Sequence, residues 1–526
     1  MIRALLVFIL FGGVFFTTHL FQEFLNHPKS FFLLITTLIL LLVSFMTKKG
    51  VEKLLDSLKT RSLYYGVAII CLFVTIHGFL QYYGLMPSYH KAFPITGTFE
   101  NPAGFATVQA AMFPFVFSLC FNREYGFFMR LFSFTISLLC FASVILSGSR
   151  AGSIAIFSAI VVILAFTDTV SSFFKVHRWA WIPVLVIVAS SLVVLYFVKQ
   201  DSADGRIFIW GRCIEMIKEH PLFGYGTNGF HGNYMIAQAN YFRSHPYSPY
   251  VMIADNVTHP FNEYLKLTIN YGIVGLLVGI TLLVWIVRRL LKNDRQTKML
   301  GLSFVVSVFV MCQFSYPFQY DVVWFLSFIA LMPSFTNMGR KIVIPRYVRL
   351  IVSFLLLGGL AVSLRMMYYE MKWTEISNRA IKGRAGRMMP FYENVNYVLG
   401  NNPLFLYNYA AELNTVQRYE ESLDVLTKCA QTWNEYNVQI LYSDNYAKLG
   451  QYDNAIKACD EAYNMIPCRF GPLYRKMLIY SNSNDTINAI LMANEILDKP
   501  IKVQSKEISQ IRSAAEQLII HFGDEW

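Results

Sequence analysis

Long runs of Leu, Ile, Val and Phe fill the chain as far as about Met366 and then stop. A membrane span takes roughly 20 apolar residues, or about 17 at the short end, because each adds about 1.5 Å of helix. Segments that reach or approach that length run over Ile2–Phe21, Phe31–Met46, Leu63–Leu80, Gly104–Phe121, Phe127–Leu146, Ala151–Phe166, Ala180–Val198, Tyr264–Val287, Leu300–Phe314, Phe318–Met332 and Leu350–Leu364. The first run continues through Leu20 with no small-residue cleavage pattern, so it reads as a retained span. From about Pro403 the pattern becomes one of paired amphipathic helices at a repeat of roughly 33 to 34 residues.

These patterns predict an all-α protein, a polytopic helical membrane domain of about 11 spans followed by a helical-repeat domain. The expected division is a membrane domain over 1–367 with a large loop at 199–262, a linker over 368–402, and repeats over 403–526. The clearest repeat copy has Tyr446, Gly450, Tyr452, Ala455, Ala462 and Pro467 at its small, aromatic and breaker positions, with Ser422 and Ala489 equivalent to Ala455 in the flanking copies. This period and residue pattern resemble tetratricopeptide repeats, stacked helix pairs that bind a peptide or another protein.

Charge orients the spans. The formal charge is +12, yet most Lys and Arg sit in alternate loops: Lys48, Lys49, Lys53, Lys59 and Arg61; Arg123 and Arg130; Lys175 and Arg178; Arg288, Arg289, Lys292, Arg295 and Lys298; Arg340, Lys341, Arg346 and Arg349. Cytoplasmic loops carry that excess, so the basic balance is a topology signal and nucleic acid is not an expected partner. An odd number of spans with the N-terminus inside puts the C-terminal domain, the 199–258 loop and the turns at Glu100 and Arg150 on the outer face, which is periplasmic in a Gram-negative cell. The eight cysteines include no C-x-x-C pair, so neither a zinc site nor an obligatory disulfide set is expected.

The candidate chemistry lies in the outer loops. Arg150 sits in the Ser147-Gly148-Ser149-Arg150-Ala151-Gly152 turn, where small residues let a phosphate approach the backbone; snorkelling to lipid headgroups is the alternative. Arg206 and Trp210 are four apart on a helix that stops at Pro221 and so share a face. The following Gly224-Tyr225-Gly226-Thr227-Asn228-Gly229 turn can cradle an anion through its amides, although it is neither a Walker loop nor a dinucleotide fingerprint. His259, at the mouth of the next span, suits a general base; His220, His231 and His245 read as ordinary surface histidines. No Asp-x-Asp occurs, so any pyrophosphate would be neutralised by arginines rather than by a carboxylate-held metal, and no cofactor is implied.

Together, Gly97-Thr98-Phe99-Glu100-Asn101-Pro102, the Ser-Arg-Ala-Gly turn at Arg150, Arg206 with Trp210, the His220-Pro221-Leu222-Phe223-Gly224-Tyr225-Gly226 segment, and Asn262 with Tyr264-Leu265 leading to Gly272 and Gly275 resemble the O-antigen ligase and polymerase superfamily, whose relatives include protein O-oligosaccharyltransferases. One departure stands out. The family commonly has His directly before that Asn, where this chain has Phe261, so His259 is expected to do the work from two residues earlier. The resemblance implies transfer of a glycan from a polyprenyl pyrophosphate, metal-independent and inverting, at the outer face of a bacterial inner membrane. His259 would be the base and Arg150 and Arg206 the leaving-group cations, with Asn101, Tyr225, Asn228, Asn262, Glu263 and Arg212 as substrate contacts. The acceptor would be lipid A core, a second glycan or a protein, with the repeats recruiting a protein partner. The reading from another class is a glycan or lipid transporter, which usually carries charged residues in mid-membrane; these spans have almost none.

Overall fold

A computed structural model describes residues 1–47, 49–58, 60–122, 124–167, 200–336 and 344–523, and every regular element among them is helical. The expected span at Ala180–Val198, with Lys175 and Arg178 ahead of it, lies outside the described residues. The helices are α1 (Ile2–Phe15), α2 (Asn26–Met46), α3 (Gly50–Leu58), α4 (Arg61–Tyr82), α5 (Pro102–Leu119), α6 (Phe127–Leu146), α7 (Arg150–Ala165), α8 (Gln200–Glu219), α9 (Gly229–Ser244), α10 (Glu263–Leu291), α11 (Arg295–Phe314), α12 (Asp321–Thr336) and α13 (Arg346–Arg379). Beyond a π turn at Ala380–Arg384 come α14 (Ala385–Leu399), α15 (Pro403–Thr415), α16 (Tyr419–Ala430), α17 (Tyr436–Lys448), α18 (Tyr452–Met465), α19 (Gly471–Asn482), α20 (Thr486–Asp498) and α21 (Lys506–Gly523).

Seven of the described helices are long and apolar enough to cross a membrane: α2, α4, α5, α6, α10, α11 and α13 with its continuation. Three more, α1, α7 and α12, are apolar but only 14, 16 and 16 residues long. At about 1.5 Å per residue these fall short of the roughly 30 Å hydrocarbon thickness. Seven long helices and three short ones thus stand where ten of the eleven spans were expected. This is a multi-pass membrane protein.

The chain divides into two compact units, one of Met1–Val198, Phe261–Glu263 and Val278–Met371, the other of Lys199–Pro260, Tyr264–Leu277 and Lys372–Trp526. In the first, α5 packs against α4, α6, α7 and α11, and its residues from Gly104 to Leu119 are all buried. Gln109 is fully buried in its middle, and its amide is satisfied: Nε2 donates to Thr75 Oγ1 at 2.7 Å and Oε1 accepts from the Cys71 thiol.

Contacts within this first unit sort the helix termini into two ends. At one end Asn26, Glu100, Tyr316 and Tyr320 meet, which gathers the N-termini of α2, α5 and α12 with the C-terminus of α11. At the other, Arg295 donates to the Phe166 carbonyl and Asn293 to that of Ser334, so the basic loop after α10 lies beside the C-termini of α7 and α12. Alternate loops therefore share an end, as the charge pattern requires.

In the second unit the helices pair α15 with α16, α17 with α18 and α19 with α20. Ser422, Ala455 and Ala489 are each the fourth residue of the second helix in a pair, and all three are fully buried. Only a small side chain lets two helices close there. The stretch expected as a linker over 368–402 is helical instead. Its scattered charges hide a stripe of Trp373, Ile376 and Ala380, spaced three and four apart and all buried.

Candidate functional site

The site is built around a break. Gly272 interrupts α10 at φ +66°, ψ −169°, a conformation open only to glycine. The carbonyls of Ile269 and Asn270 lose their helical donors and accept instead from the amides of Tyr225 (2.9 Å) and Gly226 (2.8 Å), while Ile273 and Val274 donate to Pro221 and Leu222 (2.8 and 3.3 Å). The backbones touch. A Cβ on Gly272 would lie 2.0 Å from the Leu222 carbonyl oxygen, and one on Gly224 2.3 Å from that of Ile269.

This exchange explains the glycine-rich turn and corrects its reading as an anion cradle. The amides of Gly224, Tyr225, Gly226 and Gly229 all donate to protein carbonyls, and that of Phe230 donates to Asn270 Oδ1 at 3.1 Å. Tyr225 turns its hydroxyl onto the Glu219 carboxylate and its ring edge onto His220; burial and Glu219 push its pKa above the usual phenol range. Asn228, exposed and at φ +65°, turns the chain into α9.

Ahead of the turn, α8 presents Arg206, half-buried, and one turn later Trp210, whose indole Nε1 donates to the Pro260 carbonyl at 2.9 Å. That bond ties the Arg206 helix to the residue following His259. Phe208, on the same helix, is buried against Phe242 and Ala254. Arg212 is engaged in the same packing: its guanidinium lies 4.0 Å over the Tyr241 ring and pairs with Glu215 at 2.9 Å, and its side chain is 13% exposed.

His259 packs edge-on against His231, with ring centroids 5.8 Å apart. Burial, the Lys266 ammonium and His231 hold the His259 imidazole down to about 3, and burial with Lys266 holds His231 down to about 4. Both rings are therefore neutral at physiological pH, beside a cation from the first turn of α10. Sequence reasoning passed over His231 and Lys266. The signal was the Glu263-x-x-Lys266 spacing, which places both residues on one helical turn.

In the first unit, Arg150 opens α7 behind its cap Ser149, and Gly152 sits so tightly on Ala106 that an added Cβ would lie 2.7 Å away. Asn101 caps α5 through Oδ1 (3.1 Å to the Gly104 amide) and donates to Tyr316 at 3.1 Å. Glu100 accepts from Asn26 and Tyr320, each at 2.7 Å. Asn262, buried, donates to the Gln313 carbonyl at 3.3 Å. Phe261, the residue in the family's histidine position, adopts φ +53° and lays its ring 5.6 Å from Tyr316; Glu263 begins α10. The sequence candidates thus fall into two groups, Arg206, Arg212, Tyr225, Asn228 and His259 in one unit and Arg150, Asn101, Asn262 and Glu263 in the other.

A family model described as O-antigen ligase matches residues 135–280. The matched stretch begins ahead of Arg150 and ends past Gly272, so it takes in the broken helix, the glycine-rich turn, both histidines and Lys266. It supports a place for this chain in the O-antigen ligase superfamily, whose members are glycosyltransferase-like enzymes of polysaccharide assembly. No curated protein matches the chain significantly.

Proposed function

We propose that the chain transfers a glycan from a polyprenyl pyrophosphate to an acceptor hydroxyl at the outer face of a bacterial inner membrane. The observation that carries this reading is the family match across Arg150 to Gly272 together with a half-buried, neutral His259 beside Lys266. Neutral imidazole is the form that accepts a proton.

In the proposed step, the acceptor oxygen attacks the anomeric carbon as its proton passes to His259. The bond from that carbon to the pyrophosphate oxygen breaks with inversion, and the electron pair leaves on the pyrophosphate. Arg206 stabilises that charge, with Lys266 as a second cation; the family resemblance adds Arg150 as a further candidate. Arrival of the anion offsets the field of Lys266, which moves His259 back toward the range where a base is effective.

The acceptor is lipid A core, a growing glycan or a protein hydroxyl, and the tetratricopeptide-like helices are the part of the chain suited to holding a protein. Purified full-length protein, given polyprenyl-pyrophosphate-linked glycan in detergent with no gradient, is expected to release polyprenyl pyrophosphate and form a new glycosidic bond. An intact lipid-linked pool after prolonged incubation would defeat the proposal in favour of transport.

A further inference from the structure

The segment that carries His259, residues 251–260, has turns but no helix of its own. Its shape must come from side chains that hold it. Three consecutive residues ahead of Thr258 and His259 are each tied to the helical-repeat region: Ala254 through its carbonyl, which accepts from Lys502 at 3.3 Å; Asp255 through a 3.1 Å pair with Arg469; and Asn256 through its side-chain bond to Glu435, a carboxylate 6% exposed. On the other histidine, the His231 carbonyl accepts from the Asn434 amide at 3.3 Å, and neighbouring Gly232 has the Gln431 carbonyl 3.0 Å from the place a Cβ would take.

Gln238 stands at the centre of these ties. It is fully buried on α9, and its side chain reaches in three directions: Nε2 donates to the Asp255 carbonyl at 3.1 Å and to the Met465 carbonyl at 2.7 Å, and Oε1 accepts from the Tyr234 hydroxyl at 3.1 Å. One amide group thereby joins the His259 segment, its neighbouring helix and the end of α18. A buried amide satisfied on three sides admits one arrangement, because any shift leaves a polar group without a partner.

We infer that Gln238 is a positioning residue that holds the His259 segment in register by clamping it to the repeat helices, which makes those helices a structural part of the catalytic unit. The inference rests on the proposed role of His259. Misplacing a reacting group by about 1 Å costs on the order of a hundredfold in rate, so the clamp acts on turnover more than on donor affinity.

The test uses full-length Gln238→Met, which keeps the volume and removes the hydrogen bonds, with Asn256→Ala as a second variant should the first fail to fold. Transfer from a membrane extract of polyprenyl-pyrophosphate glycans and amide exchange over 251–260 are both measured. The expected result is kcat per folded molecule lower by about tenfold or more with the donor KM within about twofold, and faster exchange over 251–260 while α5 is unchanged. Unchanged exchange, or normal kcat per folded molecule with only the folded yield reduced, overturns the inference. His259→Ala is run beside it. If that variant is inactive while Gln238→Met turns over normally, the clamp fails and the functional reading stands. If His259→Ala is active, the functional reading fails, and the exchange data alone decide whether Gln238 holds the segment.

Discussion

Trp210 donates its indole N–H to the carbonyl of Pro260, a bond of 2.9 Å across 50 residues of sequence that fastens the helix bearing Arg206 to the chain directly after His259. Pro260 is buried, so its carbonyl has no ready access to water. Trp210→Phe keeps an aromatic ring and removes the donor. The expected cost is about 1–3 kcal/mol of local stability for a stranded buried acceptor, with a several-fold drop in transfer. Comparing Trp210→Phe with wild type in a thermal melt and a transfer assay checks both; full activity with an unchanged melt contradicts the tether.

Gly272 and Gly226 both have positive φ, but only Gly272 faces backbone at 2.0 Å, whereas an added Cβ on Gly226 meets nothing within 4 Å. Gly226→Ala is therefore expected to cost about 1 kcal/mol, the strain of its dihedral alone. Gly272→Ala must also push Pro221 and Leu222 off the broken helix and is expected to abolish folding of the outer segment. Limited proteolysis of that segment measures the difference; equal protection in the two variants would refute the close approach.

Low pH should weaken the unit that holds the histidines. His231 and His259 are held at about 4 and 3 in the folded chain. Their unfolded value is about 6.5, so between those values the unfolded state binds more protons and stability falls as pH drops. Replacing Lys266 by Met removes a cation that depresses both rings, so the acid limb of kcat/KM should move to higher pH, while the loss of stability in acid should become smaller because the folded values then lie closer to the unfolded one. An acid limb that stays in place in Lys266→Met would show that Lys266 does not act on these rings.

Truncation after Lys372 interrupts α13 and removes Glu435, Met465, Arg469 and Lys502 together. If the repeat helices only recruited a protein, such a truncation would spare transfer to lipid or glycan acceptors. The clamp requires loss of transfer to every acceptor, read as glycan missing from lipopolysaccharide, polymer and glycoprotein alike.

Much of this architecture was legible in the chain. The apolar runs gave the helices of the membrane domain because a span must be apolar along most of its length, and Ser422, Ala455 and Ala489 marked the buried crossing of each helix pair in advance. Pairwise consequences of folding were not legible. The glycines around Tyr225 suggest an anion cradle, but the amides of Tyr225 and Gly226 donate to the Ile269 and Asn270 carbonyls that the break at Gly272 strands, and no local pattern announces which carbonyls a helix break will strand. His231 reads as a surface histidine because the backbone contacts that hold its segment come from residues 431–434, two hundred positions away. The 368–402 stretch read as a linker because its apolar stripe is narrow and interrupted by Glu370, Lys372 and Glu375.

In the proposed step His259 accepts the acceptor's proton. Single-turnover transfer by purified His259→Ala, with donor prebound and with His231→Gln as a parallel, isolates that proton transfer. His259→Ala is expected to bind donor normally and to form product slower by about a hundredfold or more, a typical loss for a general base, while His231→Gln is impaired far less. Product formation by His259→Ala at near the wild-type rate would remove His259 from the chemistry.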